Sequence, residues 1–136
     1  MDNKLERSII AALMIESGLI DLCKRRGVTT DSFSDQKLKS IFETMLSFKG
    51  LGFDPLAIMH KMPGNDNFIM DLQSEIASTA EFPSWLELLK EEEAKRTALS
   101  EMRSIATALK NPDTDLKLEF SKLMHVASTA GAMLEQ

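Results

Sequence analysis

The feature that most limits how this chain can fold is a long segment without helix-breaking residues. From Ser84 to Asn111 the sequence contains neither glycine nor proline, and the next proline is Pro112. Such a segment permits one helix of about 25 residues, because glycine and proline are the residues that most destabilise a helix interior. At its start, Ser84-Trp85-Leu86-Glu87 fits a capping box, in which Ser84 and Glu87 satisfy each other's backbone amides.

A second long helix is predicted after a turn at Asn111-Pro112-Asp113-Thr114. Asp113 or Thr114 can cap this helix, which runs toward Leu134 unless Gly131 ends it early. Apolar residues recur at three- and four-residue spacing in both helices, as in coiled-coil seams. The two seams are Leu99, Met102, Ala106 and Leu109, and Leu116, Phe120, Leu123, Ala127, Ala130 and Leu134. Because the loop is short, we expect an antiparallel hairpin closed along these seams.

The hairpin carries more apolar residues than one internal seam can bury. Those off the seam are Trp85, Leu88, Leu89, Ala98, Ile105, Val126 and Met133. They need the preceding helices or another chain as a packing surface. The residues expected to form a protein interface are Trp85, Leu89, Leu99, Met102, Ile105, Leu109, Phe120, Leu123 and Met124, although several of them must also serve the internal seam. A charge on this surface, for example Ile105→Glu, is expected to shift an assembly toward monomer.

The first 80 residues predict about five shorter helices. Their expected spans are about 4–16, 19–26, 35–48, 54–61 and 66–78. Asp2 or Asn3 can cap the first helix, and Asp54 followed by proline can open the fourth. Gly27 suits the left-handed conformation that often follows a helix end. We therefore divide the chain into a helical head, residues 1–80, and a hairpin, residues 81–136, as two lobes of one domain.

Composition agrees with an all-α fold. The chain has two valines and no tyrosine, residues that strands favour, and is rich in leucine, methionine, alanine, lysine and glutamate. Its net charge of −5 argues against general binding to a phosphate backbone. One cysteine cannot form an internal disulfide, no apolar run is long enough to span a membrane, and the N-terminus does not read as a signal peptide. A cytoplasmic protein without membrane contact is the expectation.

No pattern in the sequence indicates catalysis. It lacks a glycine-rich phosphate loop, and Cys23, His60 and His125 do not have metal-ligand spacing. Glu91-Glu92-Glu93 reads as a solvated helix face rather than a carboxylate site. We therefore predict no catalytic residue, no cofactor and no metal, and the chain is not expected to be an enzyme.

One stretch suggests nucleic-acid binding. The segment from Leu22 to Met45 loosely resembles a helix-turn-helix, with Gly27-Val28-Thr29 opening the turn. Its reading helix has only Lys37 and Lys39 as basic residues, and the overall charge opposes binding to DNA. Direct nucleic-acid binding stays an alternative to protein binding.

The order of motifs resembles the N-terminal domain of the DnaB family of bacterial replicative hexameric helicases. The resemblance covers roughly residues 4–130, and the order and spacing of its motifs are more specific than any one of them. They are Leu5-Glu6-Arg7-Ser8-Ile9-Ile10-Ala11-Ala12-Leu13-Met14, Asp31-Ser32-Phe33, Ile41-Phe42-Glu43-Thr44-Met45, the spaced residues Gly50, Asp54 and Ile58, the stretch Phe68 to Leu72, and Trp85-Leu86-Glu87-Leu88-Leu89-Lys90 with Lys95-Arg96. Ile58 stands where the family pattern has leucine.

The resemblance implies one domain over residues 1–136, in which hairpins pair between subunits and the domains form a collar that docks primase or a loader protein. The helicase-binding domain of primase is similar in fold, so it is an alternative. The sequence ends where the linker and motor of such helicases would begin. It is therefore expected to be either an excised domain or a stand-alone protein of phage or plasmid type that engages a helicase or primase, without unwinding activity of its own.

Overall fold

The computed structural model describes residues 3–48, 52–111 and 113–134. These residues form helices and connecting turns, with no strand among them. The α-helices are α1 (Lys4–Ile15), α2 (Ile20–Arg25), α3 (Gln36–Leu46), α4 (Pro55–Lys61), α5 (Asp66–Gln73), α6 (Phe82–Leu109) and α7 (Leu116–Leu134). Short 3-10 turns span Ser17–Leu19 and Thr30–Ser32. The predicted all-α fold, with shorter helices followed by two long ones, is confirmed.

The chain divides into two compact units, Met1–Leu89 and Lys90–Gln136. In the first unit, α1 packs against α3 and α5, and α4 packs against both α3 and α5. The core takes at least one residue from each of these helices, and the rings of Phe33 and Phe42 meet at 4.9 Å between centroids. Its fully buried members include Ile9, Ile10, Leu13, Leu38, Ile41, Phe42, Ile58, Ile69 and Leu72.

Local signals in the sequence explain several helix ends. Asp54 accepts a hydrogen bond from the backbone N–H of Ala57 at 2.8 Å, and Pro55 occupies the first turn of α4, as expected. Gly27 follows α2 with a φ of 74°, a conformation that glycine adopts without a Cβ penalty. These two predictions are confirmed.

The predicted cap of α1 is wrong for Asn3, and the alternative, Asp2, lies outside the described residues. Asn3 precedes α1 but its side chain does not accept a bond from the helix. Instead, Asn3 Nδ2 donates to Asp35 Oδ2 at 2.9 Å, and Asp35 Oδ1 accepts from the N–H of Leu38 at 3.0 Å. The side chain of Asn3 is therefore used to position the residue that caps α3.

The predicted capping box at Ser84 is also wrong. Helix α6 begins at Phe82, so Ser84 lies inside its first turn. Phe82, Leu86 and Leu89 are fully buried in the core of the first unit. Burial of Phe82 favours an earlier helix start than the local polar pattern indicated.

The start of α7 uses a residue one position beyond those predicted. Asp115 Oδ1 accepts from the backbone N–H groups of Lys117 and Leu118 at 3.0 and 3.3 Å. The Thr114 hydroxyl instead donates to the backbone oxygen of Ala108 at the end of α6. The helix continues through Gly131 to Leu134.

Candidate protein interface

The two long helices pair within the second unit. Residues Ala94, Thr97, Ala98 and Glu101 of α6 and His125, Val126 and Thr129 of α7 line a single cavity of about 60 Å³. The turn near Asn111 reverses the chain between them. The helices therefore run antiparallel, and the hairpin expected from the sequence is confirmed.

Few side chains in the described part of the second unit are buried. Ala94, Ile105 and Val126 are the buried apolar side chains in the described part of the second unit, and Glu119 is buried with them. Ala98, Ala108 and Leu123 are half-buried. Along α6 this internal seam contains positions 94, 98, 105 and 108, and the exposed Glu101, which lines the cavity, completes a four- and three-residue repeat.

The seams expected to close the hairpin lie outside it instead. Leu99, Met102, Leu109, Leu116 and Phe120 are each 40–58% exposed. Ala106 and Ala127 are exposed as well, and the side chains of Ala130 and Leu134 lie outside the described residues. The prediction is wrong because two overlapping repeats of the same period run along α6, and spacing alone does not distinguish them.

These exposed residues share one side of the hairpin. Each residue turns a helix by about 100°, so Leu99, Met102 and Leu109 fall to one side of the seam marked by Ala94 and Ile105. On α7, Leu116 and Phe120 fall to the matching side of Val126, because the helix runs in the opposite direction. We call the resulting surface the apolar face; it consists of Leu99, Met102, Leu109, Leu116 and Phe120, with Met124 at its edge.

The other residues expected at an interface occupy different environments. Leu89 is fully buried in the first unit, where the half-buried Trp85 also packs, with its ring 6.4 Å from that of Phe82. Ile105 is buried in the internal seam, and Leu123 is half-buried. Leu89 and Ile105 therefore have almost no surface left for a partner. Seven candidates remain: the half-buried Trp85 and Leu123, and the exposed Leu99, Met102, Leu109, Phe120 and Met124.

The described ionisable groups include one ion pair on α7 and one buried thiol in the first unit. Lys122 Nζ lies 3.1 Å from Glu119 Oε1, three residues away on the same helix. Cys23 is buried in the first unit, and burial raises the pKa of its thiol to about 12. Across the residues that the structure describes, no three His, Cys, Asp or Glu side chains converge as metal ligands. In the same residues, no helix is long and apolar enough to cross a membrane.

The helix-turn-helix alternative does not fit the first unit. Ten residues, 26–35, separate α2 from α3, whereas that motif joins its helices by a turn of three or four residues. Lys37 Nζ lies 4.5 Å from the centroid of the Phe68 ring, so one of the two lysines of the supposed reading helix packs on its own chain. This segment therefore does not have the geometry of a DNA-binding helix-turn-helix.

The motif order that suggested the helicase domain is matched by a family model. The model of the DnaB-like helicase N-terminal domain matches residues 1–91. The chain belongs to this family. The match covers the whole first unit of this family member and the first residues of the second. No curated protein sequence matches the chain.

A solved structure extends the similarity into the hairpin. The chain is similar to one in the structure of a DnaB-like replicative helicase and its interactions with primase, with a TM-score of 0.73 and 24% identity. The alignment covers 92% of this chain, so it must include most of the hairpin, and 31% of the other. This DnaB-like domain therefore spans about a third of the length of that relative, and the match shows a common fold.

Proposed function

We propose that this chain is a collar-type oligomerisation and docking domain of the DNA replication machinery. It acts by binding other proteins, and it has no ATPase or helicase activity of its own. The observation that carries the proposal is the apolar face, whose five large apolar side chains stay 40–58% exposed, whereas the buried apolar side chains in the described part of the second unit are Ala94, Ile105 and Val126. Family membership supports the same reading.

The partner that we propose for the apolar face is a second copy of the chain. The face has a row of apolar residues on each of two antiparallel helices, and the rows are about 15 and 12 Å long at 1.5 Å per residue. In a dimer with a twofold axis, the α6 row of each copy can therefore pack on the α7 row of the other copy. Leucine, methionine and phenylalanine dominate the face, and burying each would contribute roughly 1.5–3 kcal/mol.

Self-association is tested by placing a charge on the face. Phe120→Glu should weaken the association of the full chain by about 100-fold or more, because it removes an aromatic contact and buries a carboxylate. Leu118→Glu is the matched control, since Leu118 is on the same helix, is 53% exposed against 57% for Phe120, and points away from the face. Ile105→Glu is less suitable than the sequence suggested, because Ile105 supports the hairpin itself. Sedimentation equilibrium measures the association of the wild type, of Phe120→Glu and of Leu118→Glu.

The result that contradicts this proposal is a monomeric wild-type chain at high concentration. Equal weakening by Phe120→Glu and Leu118→Glu also contradicts it, because only one of the two residues belongs to the apolar face.

For the assembled domain we propose primase, a replicative helicase or a helicase loader as the further partner. The support is that the similar solved structure is of a DnaB-like replicative helicase and its interactions with primase. A pull-down with purified primase and helicase tests this. Binding to helicase by a chain that does not self-associate would favour the alternative, a helicase-binding protein of the primase or phage type.

Nucleic acid is not a proposed ligand. The net charge is −5, and a phosphate-binding protein usually needs a basic face. Salt-sensitive retardation of duplex or single-stranded DNA by the purified chain would overturn this part of the proposal.

A further inference from the structure

The described part of the hairpin has few buried apolar side chains for its length. In the described part of the second unit, Ile105 and Val126 are the large apolar side chains that are buried, and Ala94 is the small one. The adjoining cavity of about 60 Å³ lies between α6 and α7, where close packing would otherwise add contacts. In the part of the second unit that the structure describes, little apolar burial therefore holds α7 against α6.

A buried carboxylate weakens this interior further. Glu119 is 6% exposed and lies on the α6-facing side of α7. Its ion-pair partner, Lys122, is on the same helix, so their contact at 3.1 Å does not join the two helices. Removing a carboxylate from water is costly, and a pair of this kind often stabilises less than apolar residues of similar size would.

The apolar surface that could stabilise the hairpin faces outward instead. Leu99, Met102 and Leu109 on α6 and Leu116 and Phe120 on α7 stay 40–58% exposed in the single chain. Helices depend mostly on the packing of an apolar side for their stability. The large exposed side chains of α7 can contribute such packing only if another surface covers the apolar face.

We propose that the hairpin becomes stably ordered only when a second copy covers its apolar face, so that folding of the hairpin and assembly of the domain are one coupled step. This inference rests on the self-association proposed above. A single chain then keeps a folded first unit, while α7 opens and closes frequently. Ordering α7 consumes part of the binding free energy, so assembly requires a higher chain concentration than it would with a preformed hairpin.

Hydrogen exchange of the full chain tests the coupling. Amides of α7 are followed above and below the concentration at which the chain dissociates, and again in Phe120→Glu. We expect α7 amides to exchange at least about tenfold faster in the monomer, while amides of α1 and α3 stay equally protected. Leu118→Glu, which leaves the apolar face intact, should keep the wild-type exchange of α7 at high concentration.

A second substitution shows whether fast exchange in Phe120→Glu is caused by the weak interior of the hairpin or by damage from the substitution itself. In the Phe120→Glu background, Glu119→Leu replaces the buried carboxylate with an apolar side chain inside the hairpin. We expect this double variant to stay monomeric and yet to regain at least about tenfold slower exchange in α7. If Glu119→Leu does not slow exchange there, a weak interior is not the cause and the inference is overturned.

The outcomes also separate this inference from the proposed function. A wild-type chain that dissociates on dilution while α7 stays as protected as α3 overturns the coupling and leaves self-association standing. A wild-type chain that stays monomeric at every concentration overturns both.

Discussion

Ser34 donates two hydrogen bonds to the buried carboxylate of Glu6, which lies 28 residues earlier in the sequence. The backbone N–H of Ser34 donates to Glu6 Oε1 at 2.8 Å, and its hydroxyl donates to Oε2 at 2.5 Å. The N–H of Asp35 also donates to Oε1, at 3.2 Å. Because Asp35 caps α3, the carboxylate of Glu6 fixes the beginning of α3 against α1.

Substitution of Glu6 should destabilise the first unit. In Glu6→Gln the amide oxygen can still accept from the N–H groups of Ser34 and Asp35, and the amide nitrogen can donate to the Ser34 hydroxyl, so the bonds remain but lose their charged acceptor. We expect the free energy of unfolding to fall by about 1 kcal/mol, because hydrogen bonds to a charged group stabilise more than bonds between neutral groups. Urea denaturation followed by the fluorescence of Trp85, the single tryptophan, measures this change.

The control for Glu6→Gln is Glu43→Gln. Glu43 is an exposed residue of α3, so its substitution should change the free energy of unfolding by no more than about 0.5 kcal/mol. Equal stability of Glu6→Gln and the wild type would show that the carboxylate is not needed at this position.

The capping carboxylate of α4 gives a second stability prediction. Asp54→Ala removes the bond to the N–H of Ala57 and should lower the free energy of unfolding by about 1 kcal/mol, whereas Asp54→Asn should retain most of the cap. Asp66→Ala is a suitable control, because Asp66 is exposed within the first turn of α5 and is not its cap. Identical urea midpoints for Asp54→Ala and Asp66→Ala would contradict the role of this cap.

These two carboxylates mark what the sequence reveals about the fold. The Asp54-Pro55 pair is a local signal, since the capping group and the capped amide are three residues apart, and it was predicted correctly. Glu6 bonds across 28 residues. Its position in α1 does not distinguish it from a solvent-exposed glutamate, because its donors come from a separate part of the chain.

In the candidate interface, too, the sequence pattern did not reveal which residues pack against each other. The spacing of Leu99, Met102 and Leu109 correctly grouped them on one side of α6. It did not reveal that Ala94, Ala98 and Ile105 repeat with the same period on the next side. Which repeat turns inward depends on how close the two helix axes come, and that is a property of the folded hairpin rather than of either helix.

Because Cys23 is buried, its thiol is expected to react slowly with labelling reagents. The thiolate is the reacting form, and a thiol with a pKa of about 12 has roughly a thousandfold less of it at pH 8 than an exposed cysteine. Dithionitrobenzoate should therefore label the native chain at least about a thousandfold more slowly than the chain in urea. Labelling of the native chain at the denatured rate would show that Cys23 is exposed.

The same thiol makes stability depend on pH in the alkaline range. In the unfolded chain Cys23 ionises near pH 8.5, whereas the folded chain holds its proton until about pH 12. Between these values the unfolded state binds fewer protons, so the free energy of unfolding falls as pH rises. The expected contribution at pH 10 is a loss of about 2 kcal/mol relative to pH 8 or below.

Cys23→Ala isolates that contribution to the pH dependence. The variant should be less stable at neutral pH, because it removes a buried side-chain atom, but its free energy of unfolding should decline less steeply between pH 8 and pH 10. Lysine titration is common to both proteins and cancels in the comparison. Parallel pH profiles for wild type and variant would rule out a thiol contribution.

Three exposed methionines allow the proposed interface to be mapped chemically. Met102 and Met124 lie on or beside the apolar face with 41% and 74% of their surface exposed, and Met70, in the first unit, is 58% exposed. Hydrogen peroxide converts an accessible thioether to a sulfoxide. If a second copy covers the apolar face, Met102 and Met124 should be oxidised several-fold more slowly at concentrations where the chain is assembled, whereas the rate at Met70 should not change. Peptide mass spectrometry gives the three rates in one experiment, with Met70 as the internal control. Slowing of all three methionines, or of none, would place the contact between copies somewhere other than the apolar face.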